Sequence, residues 1–314
     1  MSRKNATELL PASAEGIARA AAILSAGGLV AVPTETVYGL AARADSADAV
    51  AQIYSAKGRP SFNPLIVHVR DVAQAASIAH LDERAMDLAR RYWPGPLTLV
   101  VPLREDAGIA PAVTAGLSTI ALRAPAHPLM RALLEESGLP LAAPSANRSE
   151  EVSPTSAAHV MASLGEACPA LLDGGPCERG LESTIVALRE DGSWSLLRPG
   201  PIALEELEAL LGAPSDPVAT KVEAPGQLAR HYSPGKPVRL GAATREDGEF
   251  LIGFGAVEGD CTLSAAGDLA EAAANLYQCL HEAAASPQKR IAIAPIPEEG
   301  VGRAINDRLR RAAN

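Results

Sequence analysis

The sequence predicts an α/β protein in two parts, a large sheet-centred domain and a smaller one of the same class. Three observations carry that expectation. Helical and strand-like patterns alternate along most of the chain. The length, 314 residues of which 47% are hydrophobic, is more than one ordinary core needs. And the texture changes at residue 212, where "GAPSDPVATKVEAPGQLARHYSPGKP" holds five prolines and three glycines without periodicity and reads as a linker. The expected division is 1–211, a linker over 212–236, and 237–314.

Taken in order, Ser13 caps a helix that runs to Ala26, where Gly27-Gly28 ends it. "LVAVP" reads as a buried strand. Ser46 caps a helix with Val50, Ile53 and Tyr54 on one face. "LIVHV" is strand-like, and "DERAMDLARRYW" is helical until Pro94 stops it. "LTLVVPL", "STIALRA", "PLAAP", "ALLD", "STIVAL" and "WSLLRP" are further strands, with helices over 127–137, 155–163 and 203–211. Beyond the linker, "VRL", "FLIGFGA", "CTLS" and "RIAIAPI" read as short strands, accompanied by helices over 266–284 and 299–312.

Composition excludes several functions. The formal charge of −9 divides as −7 over residues 1–211 and −2 over the rest, so neither part is a basic nucleic-acid module by bulk charge. Aromatics at 3% argue against a stacking platform for single strands. Cys168, Cys177, Cys261 and Cys279 form no CxxC and have no histidines at zinc-ligand spacing, which fits a reducing compartment. The N-terminus lacks an apolar signal region, and the longest apolar stretch, 20–32, is too short to span a bilayer. A soluble, cytoplasmic protein without membrane contact is expected.

Several strand ends carry chemistry. "VPTETVYGL" offers Thr34 and Thr36 at the end of a buried strand, with Gly39 allowing close approach; it reads as a ligand-binding edge or as a Thr-capped turn. "AKGRPSFNPL" sets Lys57 and Arg59 in one turn, with Asn63 four residues on. Spacing alone leaves it either a phosphate clamp or a solvated charged loop. His68 alternates with Ile66 in the following strand, as a core residue or a ligand. "STIALRAP" puts Thr119 and Arg123 on one strand face, and an inward arginine needs an anion. "PSANRSEEVSPTS" gathers hydroxyls, Ser145 and Ser153 among them, into an anion nest or a Ser-rich turn. "LESTIV" and "LLRPGPI" add Ser183 and Arg198. No GxSxG, HExxH, Walker A motif or Ser–His–Asp set occurs. Cations, hydroxyls and amides without a nucleophile suit phosphoryl or nucleotidyl transfer, in which positioning and charge stabilisation do most of the catalysis.

The ordered set "PTETVYGL", "KGRPSFNPLIVHV", "WPGPLTLVV", "STIALRAP", "PLAAPSAN" and "LESTIV" resembles the YrdC-like domain of threonylcarbamoyl-AMP synthases. "HYSPGKP" and "GVGRAINDRLRRAA" resemble the long, two-domain form of that family. The resemblance implies an open twisted sheet with a concave cavity, a smaller Rossmann-like domain, and a linker that closes over the cavity. It implies a nucleotidyltransferase that converts L-threonine, bicarbonate or CO2, and ATP with Mg2+ into threonylcarbamoyl-AMP and pyrophosphate. A tRNA threonylcarbamoyl transferase complex takes the product, and a weak contact with tRNA belongs to the same expectation. By the same resemblance Thr36, His68, Arg123, Ser183 and the main chain of Ala143 surround threonine. Arg59, Asn63, Thr119, Ser145, Ser153 and Arg198 surround ATP, and Tyr232 covers it. Lys57 and Arg59 are the cations expected at the reacting phosphates, and no side chains are dedicated to the metal. The rivals are a nucleic-acid module without chemistry, a carbamoyl-transfer domain of the hydrogenase-maturation kind, and a plain ATPase.

Overall fold

The computed structural model describes residues 6–216, 222–227 and 231–314. Residues 217–221 and 228–230 of the expected linker, like residues 1–5, lie outside the described residues.

The first sheet has ten strands: β1 (Glu8–Leu10), β2 (Val30–Val32), β3 (Gly39–Arg43), β4 (Ile66–His68), β5 (Leu97–Pro102), β6 (Thr119–Arg123), β7 (Leu141–Ala142), β8 (Ala170–Leu172), β9 (Thr184–Leu188) and β10 (Trp194–Arg198). Their spatial order is β1-β8-β2-β3-β7-β4-β6-β5-β9-β10, with parallel and antiparallel pairs mixed. The second sheet has four parallel strands, β11 (Val238–Leu240), β12 (Glu249–Gly253), β13 (Cys261–Thr262) and β14 (Arg290–Ile293), in the order β11-β14-β12-β13.

Helix starts follow their caps. Ser13 accepts from Gly16 N at the head of α1 (Ala14–Ser25), and Ser46 accepts from Ala49 N at the head of α2 (Ala47–Lys57). Gly58, at φ 60°, ends α2 in the left-handed conformation that glycine tolerates best. α3 (Val72–Ile78), α4 (Glu83–Tyr92), the single turn α5 (Pro111–Thr114), α6 (Pro128–Ser137), α7 (Ala157–Leu164) and α8 (Leu204–Leu211) complete the first domain. α9 (Leu269–Ala285) and α10 (Gly302–Ala312) flank the small sheet.

Period-two alternation sorts the large sheet's side chains between its faces. Val67, Leu99, Leu122 and Val186 face the main core, into which residues of α2, α4, α7 and α8 pack. On the other face, α1 and α6 cover the β1-to-β7 half, packing on Val30, Ala41 and Leu141. Among the described residues, no helix packs on the β4-to-β10 half. Ile66, Val100, Ala121, Ile185, Ala187 and Leu197 form its floor, and the residue packed on them is Ala224 of the linker. Glu223 pins this segment through two bonds from Arg189, at 3.0 and 2.6 Å.

Five features differ from the sequence reading. β1 and β3 are strands, and α3 and α5 are helices, that local pattern did not mark. Cys261 and Cys279 form a disulfide between β13 and α9, whereas sparse cysteines read as thiols of a reducing compartment; their Cα atoms lie 5.9 Å apart, within bridging range.

Candidate active site

The sheet half without helices carries the site. β4 and β6 run parallel in a register that sets Ile66 beside Ala121 and His68 beside Arg123. A bulge in β10 between Leu196 and Arg198 re-aims Arg198. Thr36, Arg59, His68, Arg123, Ala143, Ser145, Glu182 and Arg198 line one cavity, closed on the linker side by Pro225, Gly226, His231 and Tyr232. A Cβ on Gly39 would stand 3.2 Å from Ala143 Cβ and 3.3 Å from Ala143 O, so the small residue serves backbone approach. The free volume is about 40 Å³. Small-molecule sites typically need several hundred, roughly 300–1,000 Å³, so the linker segment stands in the space a nucleotide would require.

Arg123 has its anion already. Nη2 donates to Glu35 Oε1 at 2.5 Å, Nη1 to Thr36 Oγ1 at 2.9 Å, and Nε to Gly95 O at 3.1 Å. Glu35 Oε2 accepts from Ala126 N at 3.0 Å. Burial alone would raise the Glu35 carboxyl, but the Arg123 charge and hydrogen bond outweigh it and hold it below its usual range. The inward arginine expected to meet a substrate carboxylate is thus balanced within the protein, and Nη1 and Nη2 each keep one further N–H.

Arg59 and Arg198 differ. Arg59 donates to the carbonyls of Asn63 (3.2 Å) and Pro64 (2.9 Å). Arg198 donates to Ser183 O and Oγ, both at 3.0 Å. Both are buried, and neither pairs with a carboxylate among the described residues. Burial lowers Arg59 to about 10 and also lowers Arg198, though both remain cations at neutral pH. Lys57, the last residue of α2, points behind the cavity wall. Its Nζ donates to Ser145 O at 2.6 Å and Asn147 O at 2.5 Å. Burial, then Arg59, push its ammonium well below the usual lysine range.

His68 is held at about 3 by burial and by Arg123, so it is a neutral imidazole at pH 7. Among the described residues, His68 Nδ1, Asn63 Oδ1, His231 Nδ1 and Tyr232 OH are buried without a hydrogen-bond partner. Buried polar atoms are ordinarily paired, and three of these orphans, on His68, His231 and Tyr232, line the cavity and point to a ligand as their partner.

Other expected residues stand one bond back. Ser153 donates to Glu182 Oε1 at 2.5 Å, and Ser183 Oγ is 2.7 Å from Thr98 Oγ1. Thr119 is the exception. It begins β6, four residues from Arg123 or about 13 Å along the strand, and lines a separate groove with Arg104, Ser193 and Ser195. Sequence reading missed Glu35, Glu182, His231 and Arg308 as members of the site. Glu35 stood between two threonines already singled out. Arg308 falls in step with Ala304, Ile305, Leu309 and Ala312 on the buried face of α10, where a cation demands an anion.

Comparison with known proteins gives consistent matches. A family model named for Sua5, YciO and YrdC, and described as telomere recombination, matches residues 22–200. A second, described as threonylcarbamoyl-AMP synthase, C-terminal domain, matches residues 202–314. The threonylcarbamoyl-AMP synthase of Bacillus subtilis is 41% identical over 98% of this chain and 95% of its own. That of Pyrococcus abyssi is 39% identical over 94% and 93%. The crystal structure of P. abyssi Sua5 complexed with L-threonine aligns at a TM-score of 0.89 and 37% identity, covering 98% of this chain and 97% of that one.

Proposed function

The chain belongs to the Sua5–YciO–YrdC family in its two-domain, threonylcarbamoyl-AMP synthase form, and from that premise we propose how its cavity performs the reaction. The activity is L-threonylcarbamoyladenylate synthesis for tRNA modification. L-Threonine, bicarbonate or CO2, and ATP give threonylcarbamoyl-AMP and pyrophosphate. The observation that carries the assignment of the cavity is the pair Arg59 and Arg198, two buried guanidiniums without a carboxylate partner among the described residues. Buried cations of this kind call for an anionic ligand, and a polyphosphate supplies one.

Threonine would lie against Arg123, Thr36, His68, Ser183 and the main chain of Ala143. The spare N–H groups of Arg123 suit its carboxylate. The amine attacks CO2, forming an N–C bond and losing a proton. A carbamate oxygen then attacks the α-phosphorus of ATP, the bond to the bridging oxygen breaks, and pyrophosphate leaves. Nucleophile and leaving group are both anionic, so Arg59 and Arg198 would lower the barrier by holding charge already in place. A neutral His68 can orient threonine without adding charge. Lys57 would join the phosphates on leaving its two carbonyls, and an arriving polyanion favours its charged form.

ATP needs more room than the present cavity offers. The proposal therefore requires residues 222–227 to rise from the floor formed by Ile66, Val100 and Ala121, which opens a path along β6 toward Thr119. Asn63, Ser145 and Ser153 would then border the nucleotide, and Tyr232 would close over it. Mg2+ would arrive on ATP, with phosphate oxygens and water as its ligands. It would neutralise phosphate charge. Among the described residues no helix is long and apolar enough to cross a membrane. A cytoplasmic setting, hand-over to a tRNA threonylcarbamoyl transferase complex and a weak tRNA contact belong to the same reading. ATP–pyrophosphate exchange tests it: exchange should require both threonine and bicarbonate, and exchange that ignores threonine would overturn it.

A further inference from the structure

We propose that Arg308 and Tyr277, both in the C-terminal domain, are positioning residues for the nucleotide half of the site. The inference rests on the reading of the cavity as an adenylate-forming site.

Arg308 lies on the apolar face of α10 and is fully buried. Its Nε donates to Glu182 Oε2 at 3.0 Å, across the domain boundary, and its Nη1 to Asp307 at 2.9 Å. Tyr277 on α9 donates to the same Glu182 oxygen at 2.7 Å. The other Glu182 oxygen accepts from Ser153 at 2.5 Å. A catalytic-domain carboxylate that lines the cavity is thus held by two C-terminal groups, and in turn holds a hydroxyl expected at ATP. Burial would raise this carboxyl, but Arg308 and Arg198 keep it ionised, down at about 2.

The same two residues seat the linker. The Arg308 guanidinium lies 5.4 Å from the Tyr232 ring centre, and Tyr277 stacks on Tyr232 at 5.7 Å and 24°. Arg308 Nη2 is buried without a partner among the described residues, beside the ring whose hydroxyl is also unpartnered. The contact is built closely. A Cβ on Gly180, two residues before Glu182, would stand 2.3 Å from Ala274 O and 2.5 Å from Ala273 O on α9.

Without Arg308 the buried Glu182 charge would have Arg198 as its remaining cation. Arg198 would be drawn from Ser183, and Tyr232 would lose its seat. Ser183, an expected partner of threonine, is bonded to Arg198 and would feel part of the change, but Arg123 and Thr36 are held through Glu35 and Gly95, so the effect should fall chiefly on ATP. A purely structural bond between domains would weaken both substrates together.

The test uses the full chain with Arg308→Gln, Arg308→Lys and Tyr277→Phe, reading kcat and the KM for each substrate. Losing one charge-assisted hydrogen bond predicts a rise in KM for ATP of roughly tenfold. KM for threonine should stay within about twofold, Arg308→Lys should regain part of the loss, and Arg308→Gln should add little in a Tyr232→Ala background. Unchanged ATP kinetics, parallel changes in both KM values, or full additivity with Tyr232→Ala would overturn it. Tyr277→Phe removes only a hydroxyl and decides the matter by itself should Arg308→Gln not fold. Wild-type protein that makes no threonylcarbamoyl-AMP would instead overturn the functional reading, and this inference with it.

Discussion

At the scale of single residues, the cavity separates two kinds of buried arginine. Arg123 is neutralised by Glu35 and held by Thr36 and Gly95, so it is rigid before any ligand arrives. Among the described residues, Arg59 and Arg198 are held by carbonyl and hydroxyl oxygens and keep their charge for something else. Arg59→Ala should therefore reduce kcat/KM for ATP by about 10–100-fold, the worth of one or two charge-assisted hydrogen bonds, while circular dichroism stays unchanged. Equal loss in threonine binding would count against this division. Residue chemistry was largely legible: the cations, hydroxyls and inward arginine of this cavity stand in its motifs. Their partners were not. Glu35 lies 88 positions from Arg123 and Glu182 lies 126 from Arg308, and no local pattern encodes pairs at such separations.

Elements explain why these residues converge. α2 ends at Gly58, which turns the chain so that Lys57 and Arg59 leave it in different directions. Strand register sets His68 beside Arg123, and the β10 bulge brings in Arg198. Caps made α1 and α2 readable, since Ser13 and Ser46 each accept from the first turn, and α4 was readable from its helical pattern up to Pro94; the Asp82 cap emerges only in the structure. β1 was not readable, being three residues with Leu9 exposed, and α5 is a single turn. Two outcomes belong to this scale. Tyr232→Ala removes the ring seated between Arg308 and Tyr277, and should weaken ATP binding measured by calorimetry while sparing threonine. Unchanged nucleotide affinity would contradict a covering role. Gly180→Ala combines a positive φ of 66° with a clash against α9, and should cost about 2 kcal/mol or more in urea unfolding. A midpoint equal to wild type would show that the two domains do not meet there.

At the scale of the whole molecule, no helix among the described residues packs on half of one sheet face, and Ala224 of the segment joining the two domains packs there instead. That arrangement buries charge at the boundary, and pH should reveal it. His68 and His231 are held at about 3 by burial, below the ordinary value near 6.5. The unfolded chain therefore takes up protons that the folded chain refuses. Stability is fully present above about pH 6.5 and falls as pH drops toward 3, by about 1.4 kcal/mol per pH unit for each histidine. Glu182, at about 2 against an ordinary 4.5, contributes stability above pH 4.5 that is lost as pH falls through 2. Urea midpoints should decline from pH 7 to pH 5, and a flat profile would contradict burial of the neutral rings.

The central claim is that one cavity joins threonine, a one-carbon unit and the adenylyl group of ATP. Mass spectrometry of the product formed with 13C-bicarbonate tests it most directly. The account predicts threonylcarbamoyl-AMP carrying a single 13C atom, absent when threonine or bicarbonate is withheld; an unlabelled threonyl adenylate, or AMP released without threonine, would contradict it.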